Sequence, residues 1–424
     1  MKTLRTALAV MGVFILALTI SCGKNSSNPL SPGGGNPGGS GGGNGGGSGG
    51  SGSGGGSGGG GGTLPPPPPS PGTPTWTLPD GYHGRNPVID PVNGIVYGSG
   101  VKPGAPGDNS FFVTKFPIVS GERSWLKDTT TPGVYNWVTK GIGSLNGEVY
   151  ALRWEDPMGG GNAKIFSNKY NQNGLIESPP WPLIVGNHTA GMDLVTDPST
   201  GSIFAATVNS ITSLSPSGSI IWQNGFGFNT NQGIIAITAG DGRLFMTGMT
   251  NSSLFGQPKT GVLDAFVAEV NPANGQLIKG FVWVDRTYPL GDLHNKYTYG
   301  DAIGIAPDGI VVAARTGLDF TAATSQKSKI VKFSFAMDGV EEWMFSTENE
   351  KKVYGFLASG GDVFALSSSL WRISPSGTRI WTAGISAGEG GGIALDSETN
   401  TLYVMNDSER IYRVNASSGT IIAN

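Results

Sequence analysis

From residue 86 to the carboxyl terminus the chain is written in short apolar runs with β-branched and aromatic residues, broken by Gly, Asn, Asp and Pro, and it shows no stretch with helical periodicity. The pattern is clearest over 233–284, which reads GIIAITAGDGRLFMTGMT, then a polar excursion, then LDAFVAEVNPANGQLIKGFVWV. Four runs, 234–238, 243–248, 265–270 and 276–284, are separated by Gly240-Asp241-Gly242 and Asn271-Pro272-Ala273-Asn274-Gly275. Asn, Asp and Gly supply the positive φ that tight hairpins need, so the spacing predicts a four-stranded antiparallel meander. One such sheet cannot bury both faces and requires neighbours of its own kind.

Aligning the two hairpins of this unit finds seven copies, over 86–125, 137–181, 190–222, 233–284, 300–345, 353–381 and 390–424. A repeat of this size made wholly of strands predicts an all-β fold, a β-propeller of seven four-stranded blades. Trp76-Thr77-Leu78 is expected to add an edge strand that closes the ring against the last blade. The long inserts at 251–262 and 285–299 are where strands of an eighth blade would have to lie. Six copies place a Trp at the fourth strand, and four of these follow the hairpin glycine by four residues: Gly121 to Trp125, Gly218 to Trp222, Gly339 to Trp343 and Gly377 to Trp381. A large aromatic at one position of every blade is expected to fill the wedge between neighbouring sheets.

The fourth and fifth copies, with TAGDGRLFMTGMT, LDAFVAEVNPANG and YGDAIGIAPDGIVVAART, resemble the β-propeller repeats of bacterial secreted and surface proteins. The third and sixth, with SPSGSIIW and SPSGTRIW, are similar to quinoprotein-type repeats. The resemblance covers residues 86–424 and implies the fold; such repeats serve many functions, so it implies no activity.

The amino terminus reads differently. Lys2 and Arg5 precede an apolar stretch over 8–20, as in an export signal, and the stretch is too short for a good membrane-spanning helix. Leu18-Thr19-Ile20-Ser21-Cys22 resembles a lipobox, departing from it at Thr19, which makes Cys22 the expected lipidation site and residues 1–22 a lipoprotein signal. Residues 33–62 contain only Gly, Ser, Asn and Pro, and Pro65 to Pro69 follow, so 23–74 is expected to be a disordered tether, its 33–62 part spanning roughly 30 Å. The propeller domain then occupies 75–424. Cys22 is the only cysteine, which excludes intramolecular disulfides and cysteine-based zinc sites.

Charge adds little. The chain has 27 Lys and Arg against 30 Asp and Glu, with no basic run, which argues against nucleic acid and against a polybasic membrane contact. The three histidines, His83, His188 and His294, each precede the first strand of a copy and so share one face of the ring, where a metal could be considered. Asp193, Asp292, Asp301 and Glu389 lie near the same connections, and Asp301 matches the opening Gly-Asp of the repeat, which favours a structural turn. His188, Asp193, His294 and Asp301 are the candidate site on the loop face. No nucleophile elbow, zinc-protease, nucleotide-loop or calcium-loop pattern is present, so no catalytic residues, metal or cofactor are assigned. The expectation is a monomeric, non-enzymatic binding or scaffolding lipoprotein of the bacterial cell envelope. It would be held to the outer membrane or cell surface by its lipid anchor alone, and would engage protein or glycan partners through propeller loops. The alternative is an extracytoplasmic propeller enzyme, a quinoprotein-like dehydrogenase or a polysaccharide lyase or hydrolase.

Overall fold

The computed structural model describes residues 76–104, 109–129, 134–157, 163–177, 180–187, 191–228, 232–287, 296–318, 326–347, 352–388, 390–407 and 410–422. These residues form seven four-stranded antiparallel sheets and no helix. A two-residue strand, β1 (Trp76–Thr77), comes first. The first blade is β2 (His83–Asp90), β3 (Ile95–Lys102), β4 (Ser110–Pro117) and β5 (Trp125–Thr129). The second is β6 (Val134–Leu145), β7 (Glu148–Pro157), β8 (Lys164–Tyr170) and β9 (Leu183–Asn187), and the third β10 (Gly191–Asp197), β11 (Ser202–Thr207), β12 (Ser210–Leu214) and β13 (Ile220–Gly225). The fourth is β14 (Gly233–Gly240), β15 (Arg243–Thr250), β16 (Asp264–Val270) and β17 (Leu277–Trp283). The fifth is β18 (Tyr297–Ala306), β19 (Gly309–Gly317), β20 (Lys327–Ser334) and β21 (Glu341–Ser346), and the sixth β22 (Gly355–Ser359), β23 (Asp362–Leu366), β24 (Leu370–Ile373) and β25 (Arg379–Ala383). The last has β26 (Gly391–Asp396), β27 (Thr401–Asn406) and β28 (Arg410–Asn415), with β1 as its outer strand.

Six of the sheets are meanders of consecutive strands, with tight turns at many of their hairpins. Asp241 (φ 53°) and Gly242 (φ 71°) are both left-handed, as are Asn146 and Gly147, and two such residues give the hairpin whose twist matches the strands it joins. The long insert at 251–262 contributes only an isolated bridge between Leu254 and Gln257, so among the described residues it hides no further blade.

Both ends of the propeller close the ring on one strand. Trp76 and Thr77 pair with Ile411 and Arg410 of β28, and further along the same strand Val414 bridges Ile421, with the Ile422 amide donating to the Arg413 carbonyl at 2.9 Å. The expected closing strand is present. The carboxyl-terminal copy supplies the Ile421 and Ile422 end of this fourth strand, and Trp76 and Thr77 supply the rest.

The core is a set of apolar layers between blades. Phe245, Val267, Phe281 and Trp283 of the fourth blade pack on Ile310, Val312, Val331 and Phe333 of the fifth. Trp76, Tyr403 and Met405 of the last blade pack on Val96, Phe112 and Phe116 of the first. The blade-to-blade reading of the tryptophans holds, in a more specific form. Each indole seats on the left-handed glycine of the third hairpin turn in the following blade. A Cβ on Gly174, Gly275, Gly377 or Gly419 would come 2.5–2.8 Å from a ring atom of Trp125, Trp222, Trp343 or Trp381, respectively. The indole N–H groups donate to carbonyls of the same turns, Trp125 to Gln172 (2.9 Å), Trp222 to Pro272 (2.8 Å), Trp343 to Pro375 (2.7 Å) and Trp381 to Ala416 (3.0 Å).

Two copies depart from this. Trp181 lies just before β9 and not within it, since Pro180 and Pro182 flank it and cannot donate to the ladder, yet it still reaches Gly218. In the fourth blade Lys279, opposite Glu269, holds the position in register that Trp occupies opposite Lys332 or Arg372 elsewhere. Its ammonium donates to the Phe335 carbonyl at 2.5 Å, while Phe281, two residues on, covers Gly339.

Candidate functional site

In every blade the inner strand runs along the ring axis, and the connection that enters it from the preceding outer strand lies at one end of that axis. This end is the loop face. The inner strands enclose an axial cavity of about 200 Å³ lined by residues of all seven blades, from Asn86 and Pro87 of the first to Gly392 and Ile393 of the last. That is below the roughly 300–1,000 Å³ typical of small-molecule pockets.

Five inner strands carry a register shift near their loop-face ends, between Gly84 and Asn86, Val138 and Ile142, Gly191 and Asp193, Ile234 and Ala236, and Gly300 and Ala302. Four of these shifts add one residue and that in β6 adds two, and such bulges re-aim side chains around the channel mouth. The side chains placed this way include Arg85, Met192, Ile235 and Asp301. Sequence reasoning did not find them as a set; the only signal is a glycine immediately before three of the shifts.

Among the described residues Asp193 is the one carboxylate lining the cavity. It is buried, and its oxygens accept from the amides of Leu194 (2.9 Å) and Ile237 (3.1 Å), the second across the blade boundary. Those amides sit on inner strands that have no further strand to pair with, so Asp193 supplies the acceptor that a ladder would have given. Asp301 lies in β18 at its bulge and not in a turn. It is 2% exposed, does not line the cavity, and accepts from Arg315 Nη2 at 3.1 Å. The same guanidinium lies 5.0 Å over the ring of Tyr299, whose hydroxyl is pushed above the ordinary tyrosine range chiefly by burial. The structure thus gives the two candidate aspartates separate surroundings. His188, His294, Asp292, Glu389 and Cys22 lie outside the described residues.

His83 opens β2, with Nδ1 2.7 Å from the main-chain oxygen of Asp407. Arg85 Nη2 is 3.5 Å from the Asp407 carboxylate, which ties the first blade to the last at the loop face. Among the described residues no three His, Cys, Asp or Glu side chains are grouped as metal ligands.

A second feature was not legible in sequence. Ile235, Met249, Leu263 and Tyr299 form a buried apolar cluster at the loop-face ends of the fourth and fifth blades, and the partly buried Met192 and Tyr297 pack against it. The 251–263 insert is held to this cluster by the parallel bridge of Leu263 with Tyr297 and by the Val262 amide on the Lys296 carbonyl at 2.7 Å. Beneath the insert, Asp264 is fully buried and accepts from the amides of Thr260 (2.6 Å) and Gly261 (2.7 Å); burial outweighs these bonds and raises its pKa.

No family model matches the chain, and no curated protein matches it. Among solved structures it is similar to the WD40 domain of Pan2 from Neurospora crassa, at 8% identity and a TM-score of 0.45, over 68% of this chain and 79% of that one. The fold assignment rests on the strand topology itself.

Proposed function

We propose that this propeller is a non-catalytic binding scaffold of a bacterial cell envelope, tethered through a lipid on Cys22 and engaging a protein or glycan partner with its loop face. The observation that carries this reading is the partly exposed pair Met192 and Tyr297, seated on a buried apolar floor and fixed by a bulge on one side and a bridged insert on the other. A rigid, partly exposed apolar centre is the anatomy of a recognition patch. Asp193 fits a structural role, since both carboxylate oxygens already serve backbone amides.

The test is binding by the full chain to a glycan array and to cross-linked envelope proteins. Met192→Glu and Tyr297→Ala are expected to abolish the selected interaction, while Val119→Ser and Val340→Ser on the opposite face leave it unchanged. Catalytic turnover that His294→Ala abolishes would show instead that the loop face is an active site.

A further inference from the structure

Asp285 follows β17 and Lys296 precedes β18, so the two stand at the ends of the connection from the fourth blade to the fifth. Neither side chain has any exposed surface, which holds for no other ion pair among the described residues. Lys296 Nζ meets Asp285 twice: it lies 3.2 Å from Oδ2 and donates to the main-chain oxygen at 2.6 Å. The carboxylate is held from its other oxygen, since Oδ1 accepts from the Thr287 amide at 2.9 Å and the Thr287 hydroxyl at 2.6 Å. Oδ2, beside the ammonium, has no hydrogen bond. The backbone of Lys296 is fixed as well, because its carbonyl accepts from the Val262 amide at 2.7 Å.

Two buried charges carry a desolvation cost that their attraction offsets only when the geometry also satisfies the remaining lone pairs, and Oδ2 is left without a donor aligned on it. A neutral amide between the same groups has no charge to desolvate and keeps one N–H to donate. The nitrogen and the carboxyl group already stand side by side in fixed positions, and such pre-orientation is what makes an intramolecular condensation feasible where the same reaction between free molecules is not.

We propose that Lys296 Nζ and Asp285 Cγ join in an intramolecular amide bond, which cross-links residues 285 and 296. The ammonium first passes a proton to Oδ2, leaving a neutral amine beside a carboxylic acid. The Nζ lone pair then forms the N–C bond at Cγ, and the negative charge that develops on Oδ1 is met by the amide and hydroxyl of Thr287, arranged as an oxyanion hole. The Cγ–Oδ2 bond breaks as Oδ2 takes a second proton from the nitrogen and leaves as water. Of the three ammonium protons two depart in that water and one remains on the amide, so no other reactant is needed. Burial lowers the pKa of Lys296 against the pull of Asp285, which favours the first step. Burial acts to raise that of Asp285, but the Thr287 bonds and Lys296 outweigh it and lower it, so the starting state is the ion pair. The cross-link fixes the residue before Tyr297 to the end of the fourth blade, and the inference does not rest on the loop-face reading.

Peptide mapping of the full chain, denatured and digested with trypsin, tests it. Trypsin does not cut after an acylated lysine, so residues 280–286 should be recovered joined to residues 287–315, at a mass one water below the sum of the two peptides. Lys296→Arg keeps a positive charge but cannot form this bond, and it should give residues 280–286 as a free peptide. Recovery of 280–286, 287–296 and 297–315 as separate peptides from the wild type overturns the proposal. A loss of one water confined to the peptide 280–286 would mark a succinimide at Asp285 and overturns it too. The wild-type digest decides the matter even where the variant does not fold.

Discussion

The indole of Trp76 lies against the backbone of Gly121, so that a Cβ on that glycine would overlap the indole nitrogen, and Gly121 has the left-handed φ of 65° that a side chain would strain. The contact joins the amino-terminal strand to the first blade. Trp76 is 1% exposed and stacks between Phe116 and Tyr403, with centroids at 5.5 and 4.8 Å, so one ring spans the closure of the propeller. Trp76→Ala is expected to cost about 3–5 kcal/mol, as for a large aromatic removed from a core. Gly121→Ala should cost about 1–3 kcal/mol from strain and the displaced ring. Urea unfolding measures both, and losses under about 1 kcal/mol in each would mean that the ring is closed elsewhere.

Asp193 gives a prediction that separates structure from chemistry. Asp193→Ala leaves the Ile237 amide without its acceptor and is expected to destabilise by about 1–3 kcal/mol. Asp193→Asn keeps one acceptor oxygen and should recover part of that loss. Equal stability of the two variants, with loss of a measured activity in both, would contradict the structural role.

Alkaline stability should depend on Lys169. Burial alone would lower its pKa, but Glu148 at 2.8 Å and Glu177 at 2.7 Å hold the ammonium and raise it above the ordinary 10.5. A pKa raised by folding contributes stability that is complete below the unfolded value and is lost as pH rises through the folded one. The urea midpoint of the wild type should therefore fall above pH 10.5 more steeply than that of Lys169→Met, the tyrosines being common to both. Parallel curves would show that this ion pair contributes nothing.

Anchoring is tested at Cys22. Mature wild-type protein is expected to partition with membranes and carry a lipidated amino-terminal cysteine by mass spectrometry, and Cys22→Ala should release it. An unmodified wild-type terminus would remove the anchor from the proposed function.

The repeat was legible because each strand is specified by its neighbours in the chain. Hairpin turns need Asn, Asp or Gly at fixed places, and the apolar runs between them are local, so Asp241-Gly242 and the run over 243–248 marked a hairpin in isolation. The closing strand at Trp76 was also readable, as a lone apolar strand ahead of seven copies. The spacing of Trp222 after Gly218 was visible too, but not that its indole meets Gly275 of the next blade. A sequence records positions along one sheet, whereas that contact is made between two.

The candidate site was less legible for the same reason. Asp193 and Asp301 look alike in sequence, each beside the start of an inner strand, yet one serves an amide across the channel wall and the other an arginine inside its own blade. A bulge of one residue in β10 or β18 decides which way the neighbouring side chains face, and it leaves no mark except a glycine. The chain alone therefore determined the number of blades and most of their strands, since these follow from local turn chemistry and period-two patterning. The tertiary structure decided which residues meet at the loop face, because packing between blades joins positions some 50 residues apart that no local pattern relates.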